Sequence, residues 1–436
     1  MSMKNALSGI KVRHCKNTAG LPVEVLPTPD FVVLPMSQHM GPPCDVKVAP
    51  GDAVKVGQVV GDSASYMTAP IHASVSGTVA RIEDFVNSAG VIDKAVVIES
   101  DKKQELDPNL APPVINGYSD FLAAVRASGL VGLGGAGFPT HVKLKPRNLD
   151  QVDTLIVNCA ECEPYITSDH HLALSDTDLL LRGIQLVKKF LELKQVIVGV
   201  ESNKPDVIKQ LKEDFSYDDS ITVFTLRDIY PQGAEKVITY ETTGRVIREG
   251  MLPADAGVVV MNITSLTFLA KYIETGIPLV TKTITVDGGA VQTPKVVTAP
   301  LGTPYKDIFA FCGGFKSEPA KIIMGGPMMG ITVYDLNSPL LKNNNAVLAF
   351  DASQLVSEEP TACIRCGRCV RACPFHLMPA AIERAVTAQN VDQLRELKVN
   401  LCMECGCCSY VCPAKRHLVT ANKMGKKLLK EKGGKK

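Results

Sequence analysis

The chain has 436 residues, 14 cysteines and a formal net charge of only +2; it is too long for one ordinary core, roughly three or four domains are expected, and no global charge points to nucleic acid. No apolar run approaches the ~18 residues of a membrane span, and the polar, lysine-broken stretch 1–17 does not read as a signal peptide. With thiols kept reduced, clustered cysteines read as metal ligands rather than disulfides.

Residues 35–97 are short apolar runs, 54–60 and 75–82 among them, broken by Gly, Pro and Asp, which predicts short strands and tight turns. Pro50-Gly51-Asp52-Ala53-Val54 reads as one hairpin and Ala73-Ser74-Val75-Ser76-Gly77-Thr78-Val79 as another. Residues 20–100 thereby resemble a barrel-sandwich domain of the biotinyl/lipoyl type. A carrier domain of that type needs a lysine at its hairpin tip, and none lies between Lys55 and Lys94, so a structural role is expected. His39 and His72 read as core or turn residues. Isolated Cys15, Cys44 and Cys312 read as structural.

Within 115–278, segment 120–127 is helical in pattern, 154–157, 195–200 and 258–261 look like buried strands, and 179–193 has helical apolar spacing. Strands alternating with helices predict an α/β layer domain with a largely parallel sheet. Alternation returns at Thr283-Ile284-Thr285-Val286, with glycine turns at 288–289, 313–314 and 325–326. This predicts a small β-rich domain over 279–336, and 337–345 reads as a linker. In the unit 350–422, helical patterns at 377–388 and 391–397 sit between two cysteine runs. From Ala421 onward seven lysines meet one glutamate, a net +6 that leaves −4 for the rest. The stretch 423–436 is expected to be a solvated, disordered basic tail, with contact to an anionic membrane face or partner as the alternative.

The cysteine runs are the most specific motif. Cys363-x-x-Cys366-x-x-Cys369-x-x-x-Cys373-Pro374 is followed by Cys402-x-x-Cys405-x-x-Cys408-x-x-x-Cys412-Pro413. Each short loop lets the backbone wrap one face of a cubane with three thiolates, and soft thiolates suit that chemistry. A pair of zinc sites is the alternative, but zinc takes four ligands and two tandem runs overshoot it. In two-cluster ferredoxins the last cysteine of each run serves the other cluster. That resemblance implies one [4Fe–4S] cluster on Cys363, Cys366, Cys369 and Cys412, and another on Cys402, Cys405, Cys408 and Cys373. Cys407 falls between ligand positions.

Upstream, Gly132-Leu133-Gly134-Gly135-Ala136-Gly137-Phe138-Pro139-Thr140 forms a glycine-rich loop. Glycines let backbone approach a phosphate or flat ring, and free N–H groups can cradle an anion. The loop lacks Rossmann spacing and a preceding strand, so a tight packing turn is the alternative. Lys143 follows closely, placed to meet phosphate charge. Asn158-Cys159-Ala160-Glu161-Cys162-Glu163-Pro164 follows the expected strand 154–157, and strand ends are where α/β domains bind ligands. An ordinary surface lysine and a solvated acidic turn are the competing readings. Cys159 and Cys162 read as buried thiols.

The loop, the lysine and Asn-x-x-Glu-x-Glu-Pro resemble the NADH- and FMN-binding flavoprotein subunit of respiratory complex I. That pattern has Asp and Gly where this chain has Ala160 and Cys162. A closer resemblance, over nearly the whole chain, is to the C subunits of Rnf complexes. Pro35-Met36-Ser37-Gln38-His39, Ala69-Pro70-Ile71-His72-Ala73-Ser74-Val75-Ser76-Gly77, Tyr230-Pro231-Gln232-Gly233-Ala234-Glu235-Lys236, the glycine loop and both cysteine runs carry it. It implies non-covalent FMN held by Gly132, Gly134, Gly135, Gly137 and Lys143, with Asn158 and Asn262 as further flavin contacts. It implies Phe138 stacking on the NADH adenine, Glu161, Glu163 and Glu235 contacting NAD(H) or flavin, and a β-grasp (SLBB-like) domain at 279–336 packed between flavin and clusters.

The function so implied is a peripheral subunit of an ion-translocating ferredoxin:NAD+ oxidoreductase. It would exchange hydride between NAD(H) and FMN and pass single electrons through two [4Fe–4S] clusters. Its partners would be membrane-embedded and iron–sulfur subunits of an Rnf-type complex at the cytoplasmic face, with ferredoxin reached indirectly. The alternatives are a soluble cobalamin-reductase-like flavoprotein and a non-catalytic iron–sulfur wiring adaptor.

Overall fold

A computed structural model describes residues 7–87, 90–355 and 359–433. The N-terminal unit is a sandwich of two antiparallel sheets. One runs Phe31–Pro35, Ile92–Ser100, Gly77–Val86, Ala53–Val54; the other Asp45–Val46, Val59–Asp62, Ile71–His72. Alternation sets the inner faces: Val32, Leu34, Val54, Val79, Val96 and Ile98 are almost wholly buried. The two expected hairpins pair with each other instead. Ala53 lies opposite Thr78 and Val54 opposite Gly77. On its other side Gly77 (φ +152°) lets the strand lie close to Ile92–Ser100, since a Cβ there would sit 1.9 Å from the Glu99 carbonyl oxygen. His39 and His72 are buried, and burial lowers their pKa values to about 4 and about 3.

The α/β unit carries a four-stranded, all-parallel sheet in the order Ile221–Leu226, Gln195–Glu201, Thr154–Cys159, Val258–Asn262. The Ile221–Leu226 strand was not expected; it is an edge strand, half-covered, so its pattern lacks a buried run. Helices Thr177–Phe190 and Ile263–Thr275 cover one face. They approach closely because Gly183 has no Cβ, which would lie 2.2 Å from the Leu266 carbonyl oxygen. Ile238, on helix Glu235–Thr243, covers the other face against Ile156, Leu226, Val258 and Val260. Strand order reverses between Thr154–Cys159 and Val258–Asn262. Such a switch point opens a crevice at the carboxyl ends of the strands.

A mixed six-stranded sheet follows, ordered Val23–Val25, Lys295–Pro300, Thr281–Asp287, Ala346–Phe350, Lys321–Met324, Ile331–Val333. Ala346–Phe350 is buried throughout and lies mid-sheet, so the sheet draws strands from both sides of the stretch expected to hold it. Segment 337–345 is not a free linker. Leu340, Lys342 and Asn344 are buried, because strand Ala346–Phe350 must return to the sheet centre through the interior.

In the C-terminal unit, helix Leu418–Gly433 packs on Pro379–Thr387 and Val391–Glu396. Gly425 lets it seat against Val386, Leu394 and Val399. The basic tail, expected to be disordered, is therefore helical through residue 433, because its apolar side has a surface to cover; residues 434–436 lie outside the described residues. Among the described residues no helix is long and apolar enough to cross a membrane.

Candidate functional site

The glycine loop is a closed turn. Gly132 N–H donates to the Phe138 carbonyl (2.9 Å) and Gly137 N–H to the Gly132 carbonyl (3.1 Å). Gly135 (φ +123°) and Gly137 (φ +63°) adopt backbone that favours glycine. Its crest, Gly134 to Ala136, is exposed, and Phe138 is half-buried. Other elements hold its foot. Leu133 N–H donates to Ser265 Oγ (3.1 Å) and the Leu133 carbonyl accepts from Lys282 Nζ (3.2 Å). Burial lowers the Lys282 pKa to about 8. Asn343 Nδ2 donates to the Gly135 carbonyl at 3.0 Å.

Asn158 and Asn262 face each other in register at the carboxyl ends of the two strands flanking the switch point. Gly134 lies against Asn262: a Cβ there would meet the Asn262 side chain at 3.0 Å. Asn158 Nδ2 donates to the Gly233 carbonyl (2.8 Å). Asn262 Oδ1 accepts from Thr264 N–H (3.0 Å), capping helix Ile263–Thr275, and its Nδ2 donates to Asp169 Oδ2 (2.7 Å). Lys143, on the single turn Thr140–Lys143, is no free surface lysine. Its ammonium donates to Glu235 Oε1 and to the Val260 carbonyl, each at 2.9 Å. Loop, lysine, Glu235 and both asparagines are thus assembled around one edge of the sheet.

Glu161 and Glu163 are not a solvated turn. Glu161 (φ +45°) accepts from Asp169 N–H (2.6 Å) and His170 N–H (3.3 Å). Glu163 accepts from Met328 N–H (3.0 Å) and Met329 N–H (2.9 Å). Burial raises each carboxyl to about 7. Beneath them Lys16 Nζ donates to the carbonyls of Glu161 (2.8 Å), Glu163 (3.0 Å) and Ile166 (2.5 Å). Both acidic side chains are engaged by internal amides, one toward Asp169 and Asn262, the other toward the cysteine unit. The roles of Lys16 and Asp169 had no local sequence signal: each acts through partners far along the chain. Tyr230 opens the motif 230–236, but its own part in the site has no signal in that motif. Cys159 is buried, which raises its thiol pKa, and Cys162 accepts from Gly233 N–H at 3.4 Å.

Cys363, Cys366, Cys369 and Cys412 line one cavity of about 520 Å³. Cys373 instead lies among the second run. Burial raises its thiol pKa, and the nearby Cys405 and Cys402 add to the shift. Cys408, pushed up to about 12 by burial, feels Cys402, Cys405 and Cys373. Cys407 is buried with its sulfur toward the Tyr230 carbonyl (3.9 Å). Four thiols around one hollow, and four more mutually close, fit two cubane clusters. An exposed glycine crest beside two strand-end asparagines fits a flat ring carrying phosphate.

Fold and site together define a modular iron–sulfur protein, in which a two-run cysteine unit is joined to an α/β ligand-binding domain. Family models described as RnfC Barrel sandwich hybrid domain, Nuo51 FMN-binding domain, SLBB domain and 4Fe-4S dicluster domain match residues 4–103, 125–271, 283–332 and 355–413. The chain is 41% identical over 371 residues to the C subunit of the proton-translocating ferredoxin:NAD(+) oxidoreductase complex of Clostridium ljungdahlii, covering 84% of this chain and 81% of that one. It is 40% identical over 370 residues to the Na(+)-translocating counterpart of Acetobacterium woodii, covering 84% of each. The C subunit of an ion-translocating oxidoreductase complex of Rhodobacter capsulatus is 34% identical over 384 residues, 87% of this chain and 74% of that one. The chain belongs to this family of C subunits. A solved NAD+-reducing [NiFe]-hydrogenase in the air-oxidized state shares the fold (TM-score 0.51, 18% identity), covering 73% of this chain and 62% of that one.

Proposed function

We propose that this chain is the peripheral C subunit of a membrane ion-translocating ferredoxin:NAD+ oxidoreductase, exchanging hydride with NAD(H) at FMN and single electrons through two [4Fe–4S] clusters. Bound FMN supplies the exchange between two-electron and one-electron chemistry, and bound clusters supply one-electron carriage. The observation that carries the reading is the path of segment 158–163. It starts at Asn158, beside the glycine crest, and ends at Glu163, which joins Tyr230 (3.5 Å); Tyr230 in turn donates to the Cys405 carbonyl. Segment 158–163 thereby links the proposed flavin site, through Tyr230, to a loop of the cysteine unit.

Each residue then has a task. Gly132, Gly134, Gly135 and Gly137 leave the crest free of side chains where the FMN phosphate and ring approach. Lys143 has three N–H donors, two already placed; the third is left for phosphate, and Glu235 holds the ammonium in position. Asn158 and Asn262 flank the flavin, and Phe138 offers its ring to the adenine of NAD(H). Glu161 supports Asn262 through Asp169, and Glu163 supports the cluster side. The crossed ligand sets are Cys363, Cys366, Cys369 with Cys412, and Cys402, Cys405, Cys408 with Cys373. Ion movement belongs to membrane-embedded partners, on whose cytoplasmic face this subunit docks, and ferredoxin is reached through iron–sulfur partners.

The test is anaerobic reconstitution of the chain, followed by assay of acid-released FMN, iron content and NADH-driven dye reduction. FMN near one per chain with NADH-dependent turnover is expected. Intact clusters with neither FMN nor turnover would leave only a wiring adaptor.

A further inference from the structure

The two thiol sets differ in exposure. Cys405 and Cys408 are buried, whereas Cys363 and Cys366 are exposed. Tyr230, Cys405 and Cys407 pack together with Ile10 and Ala372, so the second run is closed off by the α/β domain. The first run faces outward. From Thr361 to Ala380 there is no aspartate or glutamate, while Arg365, Arg368 and Arg371 are all exposed. Arg384, also exposed, lines the same cavity as the first thiol set. Among the described residues none of these four arginines is ion-paired; the nearby Glu383 is taken by Arg416 (2.7 Å). Amid them stand bare apolar side chains: Ile364 is 68% exposed, Met378 51% and Tyr410 57%. Guanidinium groups without carboxylate partners around exposed apolar tips, over a redox centre, are the anatomy of a short-lived charge-steered encounter; Arg371 alone among them also donates to the Cys366 carbonyl (3.3 Å).

We propose that this face docks an acidic protein domain that exchanges one electron with the first cluster. The inference rests on the cluster assignment in the proposed function and names the partner's chemistry. A redox protein is favoured over an anionic membrane because the charge rings the opening to the thiols, where a partner must come close for an electron to cross. In the exchange one electron leaves a cluster and one acceptor centre is reduced; no bond forms or breaks and no proton moves.

The experiment uses the full chain, reconstituted anaerobically, with two haem probes of opposite charge: the acidic soluble domain of cytochrome b5 and basic cytochrome c. Equilibrium binding and the rate of haem reduction are measured at low and high salt. The acidic probe should bind, lose affinity as salt rises, and bind at least ~10-fold more weakly to the R365Q/R368Q/R384Q chain with cluster content unchanged. Arg384→Glu, on helix Pro379–Thr387 and outside the cysteine runs in sequence, should weaken it in the same direction and decides the matter if the triple variant fails to load clusters. Unchanged affinity in the variants, equal binding of cytochrome c, or, with anionic phospholipid vesicles as a third probe, a loss in the variants confined to vesicle binding would overturn the proposal. NADH-driven dye reduction is followed alongside. Its absence with acidic binding intact would sink the flavin reading alone; its presence without acidic binding would sink this surface alone.

Discussion

The Tyr230 hydroxyl donates to the Cys405 carbonyl oxygen at 2.8 Å. Both residues are buried, so the bond ties the α/β domain to a ligand loop in a dry junction. Removing the hydroxyl leaves that carbonyl without its partner, at a cost of about 1–3 kcal/mol. Tyr230→Phe should therefore load both clusters but lose the second at lower denaturant, followed by bleaching of cluster absorbance. An unchanged bleaching midpoint would show that the junction does not depend on this bond.

The cysteine neighbourhoods predict an asymmetric response to ligand loss. Cys373 belongs spatially with Cys402, Cys405 and Cys408, and Cys412 with the cavity of Cys363, Cys366 and Cys369. Cys373→Ala should spare the first cluster and remove the second, with iron and sulfide falling by about half. Cys412→Ala should do the reverse. Electron paramagnetic resonance of the reduced chains distinguishes them; loss of the first cluster on changing Cys373 would overturn the crossed pairing.

Much of this architecture is legible locally. The cysteine spacing, the glycine crest, Asn158 and the buried apolar strands are features that a few consecutive residues encode. The rest depends on distant chain meeting. Val23–Val25 joins the mixed sheet beside Lys295–Pro300, and nothing near Val23 announces that partner. Pairing of 53–54 with 77–78 is likewise non-local, which is why two apparent hairpins are one closure. Lys16 and Lys342 look like surface lysines in sequence, because only the fold brings backbone carbonyls to their ammonium groups. Glu161 and Glu163 read as ligand contacts by motif, and only the folded chain reveals their internal amide partners.

The Glu163 carboxyl is raised to about 7, chiefly by burial. The native chain therefore holds this proton over a range in which the unfolded chain, with its ordinary value near 4.5, has released it. Stability from this site is present at low pH and lost as pH rises through that window. Buried His39 and His72 act oppositely, their contribution rising with pH from about 4 and about 3 up to the ordinary value of 6.5, since their folded pKa values are depressed. Comparison with Glu163→Gln isolates the carboxyl. Between pH 5 and 8 (about one unit beyond the upper value), wild type should lose denaturant resistance relative to the variant. Parallel curves would show that Glu163 ionises freely.

Lys342 joins three domains at one buried point. It arrives from the mixed-sheet unit and donates to the Pro70 carbonyl of the barrel-sandwich (2.5 Å) and the Gly129 carbonyl of the α/β domain (2.8 Å). Burial lowers its pKa to about 7 from 10.5. Between those values the native chain has released a proton that the unfolded chain still binds, so stability from this site rises with pH across the window. A neutral amine keeps both hydrogen bonds without the cost of a buried charge. Lys342→Met fills similar space but orphans both carbonyls, at about 2–6 kcal/mol in total. The loss should be smallest below pH 7, where the wild type carries its buried charge, and should grow toward pH 9 (about two units above the folded value). Urea midpoints of both chains across this range measure it. A loss that shrinks with rising pH would mean that the ammonium, not the amine, holds the three domains together.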